Sequence, residues 1–387
     1  MHIFAVYFYF ILMSLELINR LALSAIPRIG STKAKQLISH YNSATAVFKA
    51  DENQLLASKV NPSIAKNLCD PKLRDMSFDR AKKELDFVKN KKIELINFDD
   101  PEYPPLLKEC IDSPMLMFKK GNGKINPVKS VAIVGTRNAT SYGKGFTDLL
   151  VKHLAQYQAT VVSGLAYGID SHAHKACLKY NTPTIGVLGH GLDMIYPSAH
   201  RQLAAEMLTN GAVLTEYMSE TPSLPANFPK RNRIVAGMVD AVIIVEGAIK
   251  GGAMVTANLA HGYEKELFAA PGRSIDKYSQ GCNYLIKTQR AILLDDPEEL
   301  AMELGWEAFD LQKKFKKNDY NLDATLSEIE KSILKLLLDK DKISKVTFCE
   351  KLQLSLGEIS PVLFGLELKD KIVSKPGNYY EIAVSMR

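Results

Sequence analysis

The sequence predicts an α/β protein whose core is a parallel sheet, with a helical domain before it and a small domain of helices and a hairpin after it. Between residues 129 and 301, short runs rich in Val and Ile alternate with segments of helical length, which is the pattern of βα units. The runs are continuously apolar, so helices should cover both faces of the sheet. In chain order they read SVAIVG, ATVVSG, PTIGVLG, AVLTEY, DAVIIVEG, ELFAAPG and AILL.

The composition is that of a protein with ordinary hydrophobic cores, since 46% of the 387 residues are hydrophobic and 24% are charged. The length predicts two or three domains. A net charge of +6 permits a phosphate-rich partner but does not require one. The five cysteines are scattered and none has CxxC spacing, which argues against a disulfide framework or a cysteine-rich zinc site. We therefore expect reduced thiols and a cytoplasmic protein.

An apolar run from Ile3 to Met13 precedes the first amphipathic segment. The run of about 11 residues is shorter than the roughly 20 that span a membrane. It also lacks the basic start and the small-residue cleavage site of a secretory signal. We expect translation to start at Met13 and no association with a membrane. A short anchor that dips into a membrane is the alternative.

Residues 14–127 are predicted to form a helical domain, because apolar positions such as Leu17, Leu21 and Leu37 recur near a 3.6-residue period. The segment Ile26-Pro27-Arg28-Ile29-Gly30 interrupts two of these helices. Such a turn is typical of a helix-hairpin-helix, in which backbone N–H groups at the start of the second helix bind a DNA phosphate. A plain turn between two helices is the alternative.

A basic linker at residues 306–324 leads to a last domain at residues 325–387. Its pattern of three helices followed by the hairpin IVSKPGNYYEI predicts a winged helix. The third helix, roughly Ser355 to Lys369, carries Glu358 and Glu367 and little positive charge. A helix that reads DNA bases normally presents Arg, Lys, Asn or Gln near its start. The pattern therefore favours an interaction with protein over readout of a DNA groove.

The loops after the predicted strands are rich in glycine, and ligands of an open α/β sheet bind outside the carboxyl ends of its strands. Each loop is expected to open a helix, whose free N–H groups and dipole favour an anion. Four such loops at one edge predict a cradle for more than one phosphate. They begin at Gly135, Ser163, Leu188 and Gly247.

The segment NFPKRNR, residues 227–233, precedes the fifth predicted strand. Its three cations and an amide, led by an aromatic residue, suit phosphate contacts and base stacking. With Arg137 of the first loop, they are expected to form a basic strip beside the glycine-rich loops. A surface helix with solvated charges is the alternative.

Motifs for cofactors and catalysis are missing from the chain. The first strand is followed by GTRNAT rather than GxGxxG, and GxxxxGK[ST] is absent, so neither a dinucleotide nor ATP is expected as a cofactor. No Ser-His-Asp, Cys-His or GxSxG arrangement is evident. His172, His174 and Cys177 do not complete a four-ligand metal site. We expect no catalytic residues, no metal and no cofactor.

The segments VAIVGTR, VSGLAYGIDSHAH, LTEY, FPKRNRIVAG, GGAMVTA and APG, in this order, resemble the DNA-processing protein A family (DprA, also called Smf). FPKRNRIVAG is the most specific of them. The resemblance is strong in the central block and implies an extended Rossmann-like core at residues 128–305. It extends to both flanks, because family members often carry an N-terminal helical domain of the SAM or helix-hairpin-helix type and a C-terminal winged helix.

The resemblance implies a homodimer that binds and protects single-stranded DNA during natural transformation and helps to load the RecA recombinase, with no catalytic step. The arginines and the amide of the motifs would hold phosphates, and the serine and the glycines would give close backbone contacts. Phe228 would either pack against a base or anchor its segment. The residues implied in DNA binding are Arg137, Ser163, Gly164, Phe228, Lys230, Arg231, Asn232, Arg233, Lys250, Gly251 and Gly252.

The chain departs from the family pattern in two places. Family members commonly have a basic residue shortly before FPxRNR, whereas residues 223–227 carry none, although Lys230 lies inside the motif. Lys250 would supply the missing charge from the other side of the pocket. The loop after the fifth strand reads KGGAM rather than an SGSL-like sequence. The alternative function is a nucleotide-processing enzyme of the phosphoribohydrolase type, although the glutamate of its PGGxGTxxE motif is missing here.

Overall fold

The computed structural model describes residues 15–306, 326–339, 343–369, 371–375 and 379–382. The chain divides into a larger unit that ends at Phe309 and a smaller one that starts at Asp310. The apolar run before Met13, nearly all of the predicted basic linker and the turn of the last hairpin lie outside the described residues. None of the described helices combines the length and the apolar character needed to cross a membrane.

Six helices of the described residues precede the sheet, where the sequence pattern predicts helices. Local sequence sets their starts: Ser43 accepts a hydrogen bond from Ala46 N–H, and Asp51 forms a capping box with Gln54. The predicted turn after the first helix is present, with Arg28 in the left-handed region at φ 71°. The helices are α1 (residues 15–25), α2 (Ser31–Tyr41), α3 (Ala44–Lys49), α4 (Glu52–Ala57), α5 (Pro62–Cys69) and α6 (Pro71–Asn90).

A nine-stranded sheet forms the centre of the larger unit. Its strands are β1 (Glu94–Asn97), β2 (Leu116–Lys120), β3 (Ser130–Val134), β4 (Thr160–Ser163), β5 (Thr184–Val187), β6 (Ala212–Thr215), β7 (Ala241–Ile244), β8 (Glu266–Ala269) and β9 (Ile292–Leu293). They lie in the order β1-β2-β6-β5-β4-β3-β7-β8-β9. Strands β3 to β9 are parallel, and they are the seven strands that the apolar runs predict. The α/β fold is confirmed.

The helical pattern of residues 14–127 does not predict β1 and β2. The structure adds both to the sheet in antiparallel pairing, β1 with β2 and β2 with β6, so that Phe118 lies opposite Thr215. Neither strand belongs to a βα repeat, which is the pattern that identifies the other seven. The end of the predicted helical block therefore contributes an antiparallel extension to the sheet.

Helices cover both faces of the sheet, as continuously apolar strands require. Val131 and Ile133 of β3 pack with one set of helices, and Ala132 and Val134 pack with the other. The set that packs with Val131 and Ile133 includes α8 (Ser141–Ala155), α9 (Ile169–Lys179) and α14 (Glu299–Glu303). The set that packs with Ala132 and Val134 includes α11 (Asn227–Gly237), α12 (Gly252–Gly262) and α13 (Gln280–Lys287). The larger unit also contains α7 (Pro105–Lys108), between β1 and β2, and α10 (Arg201–Met207), which follows a 3₁₀ turn (Ser198–His200).

A buried carboxylate joins the N-terminal helices to the sheet. Glu84 of α6 is fully buried and accepts hydrogen bonds from the backbone N–H of Ser219 at 3.0 Å and from its hydroxyl at 2.5 Å, just after β6. Arg80 forms an ion pair with Glu84 at 3.0 Å. Phe118 of β2 belongs to the same hydrophobic core as Leu21 of α1. The helices and the antiparallel end of the sheet therefore share one core.

The described residues of the smaller unit form three helices and a three-stranded antiparallel sheet around a core that includes Ile333, Phe348 and Leu363. Ser355 and Glu358 cap the last helix reciprocally. Glu358 therefore has a local structural role in starting that helix. The elements are α15 (Glu328–Asp339), β10 (Ile343–Ser344), α16 (Lys345–Leu352), α17 (Leu356–Leu368), β11 (Ile372–Lys375) and β12 (Tyr379–Ile382).

Replacing Glu84 with alanine should destabilise the larger unit by about 3 kcal/mol, because it leaves the buried Ser219 N–H without its acceptor and removes the ion pair of Arg80. Trp306, the single tryptophan, packs against the core of this unit, so its fluorescence during urea unfolding reports the stability. Asp86→Ala, at an exposed position of the same helix, is the control. Equal unfolding midpoints for both variants would show that Glu84 does not hold the helices to the sheet.

Candidate nucleic-acid interface

A pocket of about 420 Å³, here called the central pocket, opens at the carboxyl ends of β3 and β7. The chain runs outward from β3 to β6 in one direction and from β7 to β9 in the other. The pocket therefore lies at the topological switch point, where ligands of open α/β sheets bind. Its lining residues are Val134, Gly135, Thr136, Arg137, Ala166, Asp170, Pro225, Phe228, Pro229, Arg231, Asn232, Gly247, Ala248, Lys250, Gly251, Gly252, Ala253, Val255, Lys277 and Tyr278.

The N-terminus of α12 contributes Gly251, Gly252 and Ala253 to the central pocket. No side chain caps this helix, and its first turn carries no acidic residue. A Cβ at Gly252 would meet nothing within 4 Å, so the space in front of the helix is open. The first N–H groups of a helix have no acceptor within it, and together with the helix dipole they favour an anion. This end of α12 is suited to a phosphate.

The N-terminus of α8 is closed by the protein's own side chains. Thr140 accepts a hydrogen bond from Gly143 N–H at 3.3 Å, and the buried carboxylate of Glu246 accepts one from Thr140 N–H at 3.0 Å. A Cβ at Gly143 would lie 2.3 Å from Glu246 Oε2, so glycine is needed for this contact. A Rossmann fold binds pyrophosphate at this first βα turn. Here a carboxylate of the chain stabilises the helix instead.

The expectation that each glycine-rich loop opens an anion-binding helix is wrong. The loop that begins at Leu188 leads to a 3₁₀ turn before a helix follows. At the start of α9, Ile169 N–H donates to the Thr136 carbonyl at 3.2 Å. Gly168, at φ +84°, allows that close packing, since a Cβ there would lie 2.1 Å from the same carbonyl. Glycines permit close backbone approach as readily as phosphate binding. Of the four helix openings, that of α12 is uncapped toward the central pocket.

Arg231 lines the central pocket, although only 3% of it is exposed. Its guanidinium donates hydrogen bonds to two main-chain carbonyls. One is the carbonyl of Gly164, just after β4, at 2.6 Å, and the other is the carbonyl of Val187, the last residue of β5. Its Nε donates to Asn232 Oδ1 at 3.1 Å. Burial raises the pKa of the Asp170 carboxyl, and the positive charge of Arg231 opposes that rise. Arg231 therefore fixes the shape of the pocket from inside the protein.

The pocket's described lining includes three exposed cations, Arg137, Lys250 and Lys277. None of the three forms an ion pair within the described part of the chain. The guanidinium carbon of Arg137 lies 5.9 Å from the centre of the half-buried Phe228 ring, whose centre is 5.8 Å from that of Tyr196. Unpaired cations beside an aromatic surface suit a ligand that carries both phosphates and bases.

Three residues implied in DNA binding lie elsewhere. Ser163 is fully buried and donates to the Ile133 carbonyl at 2.6 Å. Lys230 is exposed outside the central pocket. Arg233 forms an ion pair with Glu216, and each side chain is 14% exposed. Burial raises the pKa of Glu216, and Arg233 opposes the rise. Two positions along a helix rotate a side chain by about 200°, which separates Arg233 from the pocket face of Arg231.

The structure brings most of the other implied residues together. Gly164 packs against Arg231, which lines the pocket, and a Cβ at Gly164 would lie 2.6 Å from Arg231 Nη2. The motifs missed Lys277 and Tyr278, which belong to the loop after β8. That loop also follows the carboxyl end of a strand, so the rule that identified the other loops applies to it. The implied residues that line the pocket are Arg137, Phe228, Arg231, Asn232, Lys250, Gly251 and Gly252.

Known proteins resemble this chain over most of its length. The model of the family described as DNA recombination-mediator protein A matches residues 94–305. Protein Smf of Escherichia coli is 35% identical to the chain over 314 residues, which are 80% of this chain and 83% of that protein. The residues that the family model matches contain the whole nine-stranded sheet and the central pocket.

Solved structures agree with the sequence matches. DNA processing protein A (DprA) from Streptococcus pneumoniae has a TM-score of 0.64 and 29% identity, covering 75% of this chain and 98% of that one. The protein from Helicobacter pylori, whose structure concerns its single-stranded DNA binding mode, has a TM-score of 0.51 and 30% identity, covering 56% of this chain and 98% of that one. The prediction from the motifs is confirmed, and the chain belongs to the DNA recombination-mediator protein A family.

Proposed function

We propose that the chain binds single-stranded DNA in the central pocket, with little preference for sequence. The observation that carries the proposal is the uncapped N-terminus of α12 surrounded by Arg137, Lys250 and Lys277. Backbone N–H groups and cations recognise the phosphates that every nucleotide has. Phe228 offers an aromatic surface to any base. The Helicobacter pylori relative, which binds single-stranded DNA, supports the same use of the fold.

The wider role that we propose is protection of incoming strands during natural transformation and loading of the RecA recombinase in the cytoplasm. Membership of a recombination-mediator family supports this role. Binding of this kind needs no catalytic step and no cofactor. The acid in the pocket, Asp170, is buried beside Arg231 and helps to build the site, so we assign it no catalytic task.

We also propose the domain division given by the sequence: helical residues 14–127, a single-stranded DNA-binding core at 128–305, a linker at 306–324 and a winged helix at 325–387. The turn at Arg28 supports a helix-hairpin-helix, because Gly30 precedes α2 at the N-cap position and no side chain caps the helix. Three helices with a three-stranded antiparallel sheet support a winged helix. The strands β1 and β2 place part of the first block in the sheet of the core.

Arg137→Ala and Lys250→Ala should each weaken binding of oligo-dT about tenfold, because each removes a charge-assisted phosphate contact. Each should also reduce the slope of log affinity against log salt by about 0.7 between about 50 and 200 mM, through the loss of counterion release. Fluorescence anisotropy with a labelled oligonucleotide measures both quantities, and the same titration with duplex DNA should show weaker binding.

The matched control is Lys152→Ala, which removes the same charge from the last turn of α8, outside the central pocket. It should leave affinity and slope nearly unchanged. Equal losses for Lys152→Ala and Lys250→Ala would mean that general surface charge, rather than the central pocket, holds the strand. If the folded natural protein bound neither single strand nor duplex, the nucleotide-processing alternative would be favoured and nucleoside monophosphates would be the next ligands to test.

We further propose a homodimer that pairs through the β9 end of the sheet. Strand β9 hydrogen-bonds to β8 on one side, and its Ile292 and Leu293 are 41% and 44% exposed. Tyr284 of the neighbouring helix α13 is 43% exposed. An apolar strand at the edge of a sheet favours association with another chain.

Leu293→Lys should convert the dimer to a monomer, because a charge in the centre of an apolar contact loses its hydration without gaining a partner. Light scattering after size exclusion should then give the chain mass of 43.0 kDa rather than twice that mass. Ile111→Lys, at a position 82% exposed away from β9, is the control and should remain dimeric. A Leu293→Lys protein that stays dimeric at low micromolar concentration would place the interface elsewhere.

A further inference from the structure

A second cavity, of about 720 Å³, lies beneath the loop that follows β8. We call it the loop cavity. Residues between Pro271 and Ser279 line one side, and Thr140, Tyr142 and Glu246 line the other. Its volume lies in the range of about 300–1,000 Å³ that small ligands occupy. Lys277 and Tyr278 line both this cavity and the central pocket, so the two are contiguous.

We propose that the loop cavity is a second nucleotide subsite, which takes the base next to the one in the central pocket. The inference rests on the proposed single-stranded DNA binding. The central pocket lies at the ends of β3 and β7, and the loop cavity extends it to the end of β8, the next strand of the sheet. Neighbouring strands are about 4.8 Å apart, so a DNA strand would follow the carboxyl edge of the sheet across both cavities.

Two tyrosine rings give the loop cavity surfaces on which a base can stack. Tyr142 is 48% exposed, and its hydroxyl donates to the Pro271 carbonyl at 2.5 Å. Tyr278 is half-buried, and its hydroxyl accepts a hydrogen bond from Asn138 Nδ2 at 2.9 Å. Both rings are held at their polar ends, so little further ordering is needed when a base packs against them. Stacking on an aromatic side chain contributes about 1–3 kcal/mol per base.

The charges of the loop cavity determine how a nucleotide would lie in it. Arg273 and Lys277 are exposed on the loop, and neither forms an ion pair among the residues that the structure describes. The loop also carries Asp276, while the buried Glu246 carboxylate lies on the opposite wall. A phosphate would be repelled by Glu246 and attracted by the two cations. The base therefore points inward, and the phosphates remain at the rim beside Arg273 and Lys277.

Photo-crosslinking tests this placement on the natural full-length chain. The probe is oligo-dT of about twelve nucleotides, within the site sizes of about 4–16 found for single-strand binders, with 5-iododeoxyuridine at one position in turn. Irradiation joins an iodouracil base to an aromatic ring that it contacts, and mass spectrometry of the peptides locates the adduct. We expect adducts on Tyr142 or Tyr278 in addition to adducts near Phe228.

Variants give a second measurement that does not depend on crosslinking. Tyr142→Leu and Arg273→Ala should each weaken binding of the same oligonucleotide about five- to tenfold, as the loss of one stacked base or one phosphate contact predicts. Tyr142→Phe keeps the ring but loses the hydrogen bond to Pro271, so it should lose less affinity than Tyr142→Leu does. Lys152→Ala removes an exposed charge from the last turn of α8, outside the loop cavity, and should change nothing.

The outcomes separate this inference from the function on which it rests. If the natural protein binds, but adducts are confined to the central pocket and Tyr142→Leu and Arg273→Ala bind normally, the second subsite is wrong and the proposed function stands. If the natural protein binds no single strand, both are overturned.

Discussion

The buried guanidinium of Arg231 is the interaction on which the central pocket depends. It connects the ends of β4 and β5 to α11 by donating to two main-chain carbonyls. A buried cation is costly unless hydrogen bonds and an opposite charge compensate for lost hydration, and here the carbonyls and nearby Asp170 do so. The planar fork of arginine serves several acceptors at once, which a lysine could not do in the same geometry. Arg231 belongs to the basic segment from which phosphate binding was predicted, but its role is structural. The exposed cations of the central pocket are the ones that a ligand can reach.

The buried carboxylate of Glu246 reduces the number of helix N-termini at which an anion can bind. A Rossmann fold offers several helix N-termini along one edge of its sheet, and each attracts negative charge. By placing its carboxylate at the start of α8, the chain uses that N-terminus internally. The uncapped start of α12 and the exposed cations of the central pocket remain available to an anion. The difference between the starts of α8 and α12 thus comes from one buried acid and from Gly143, which makes room for it.

The sequence predicted the parallel strands of the sheet, because Val- and Ile-rich runs in βα repeats are typical of parallel pairing. It did not predict β1 and β2, whose antiparallel pairing belongs to no repeat. Within the site, the residue types of α11 predicted a basic cluster, but they did not show which of its cations face the central pocket. Arg233 forms an ion pair with Glu216, 17 residues earlier in the chain, because of the direction in which α11 turns its side chain and because Glu216 lies on that side. Such long-range partners are not visible in a local motif.

The pairing of β2 with β6 limits where the chain can be cut to isolate its core. A fragment that started at residue 128 would lose both antiparallel strands and leave the backbone of β6, from Val213 to Thr215, without partners on that side. An unpaired edge beside freshly exposed apolar residues is a template for strand addition by other copies, which leads to aggregation. A cut before Glu94, the residue at which the family match begins, keeps the pairing of β2 with β6 but removes the helices whose core Phe118 shares.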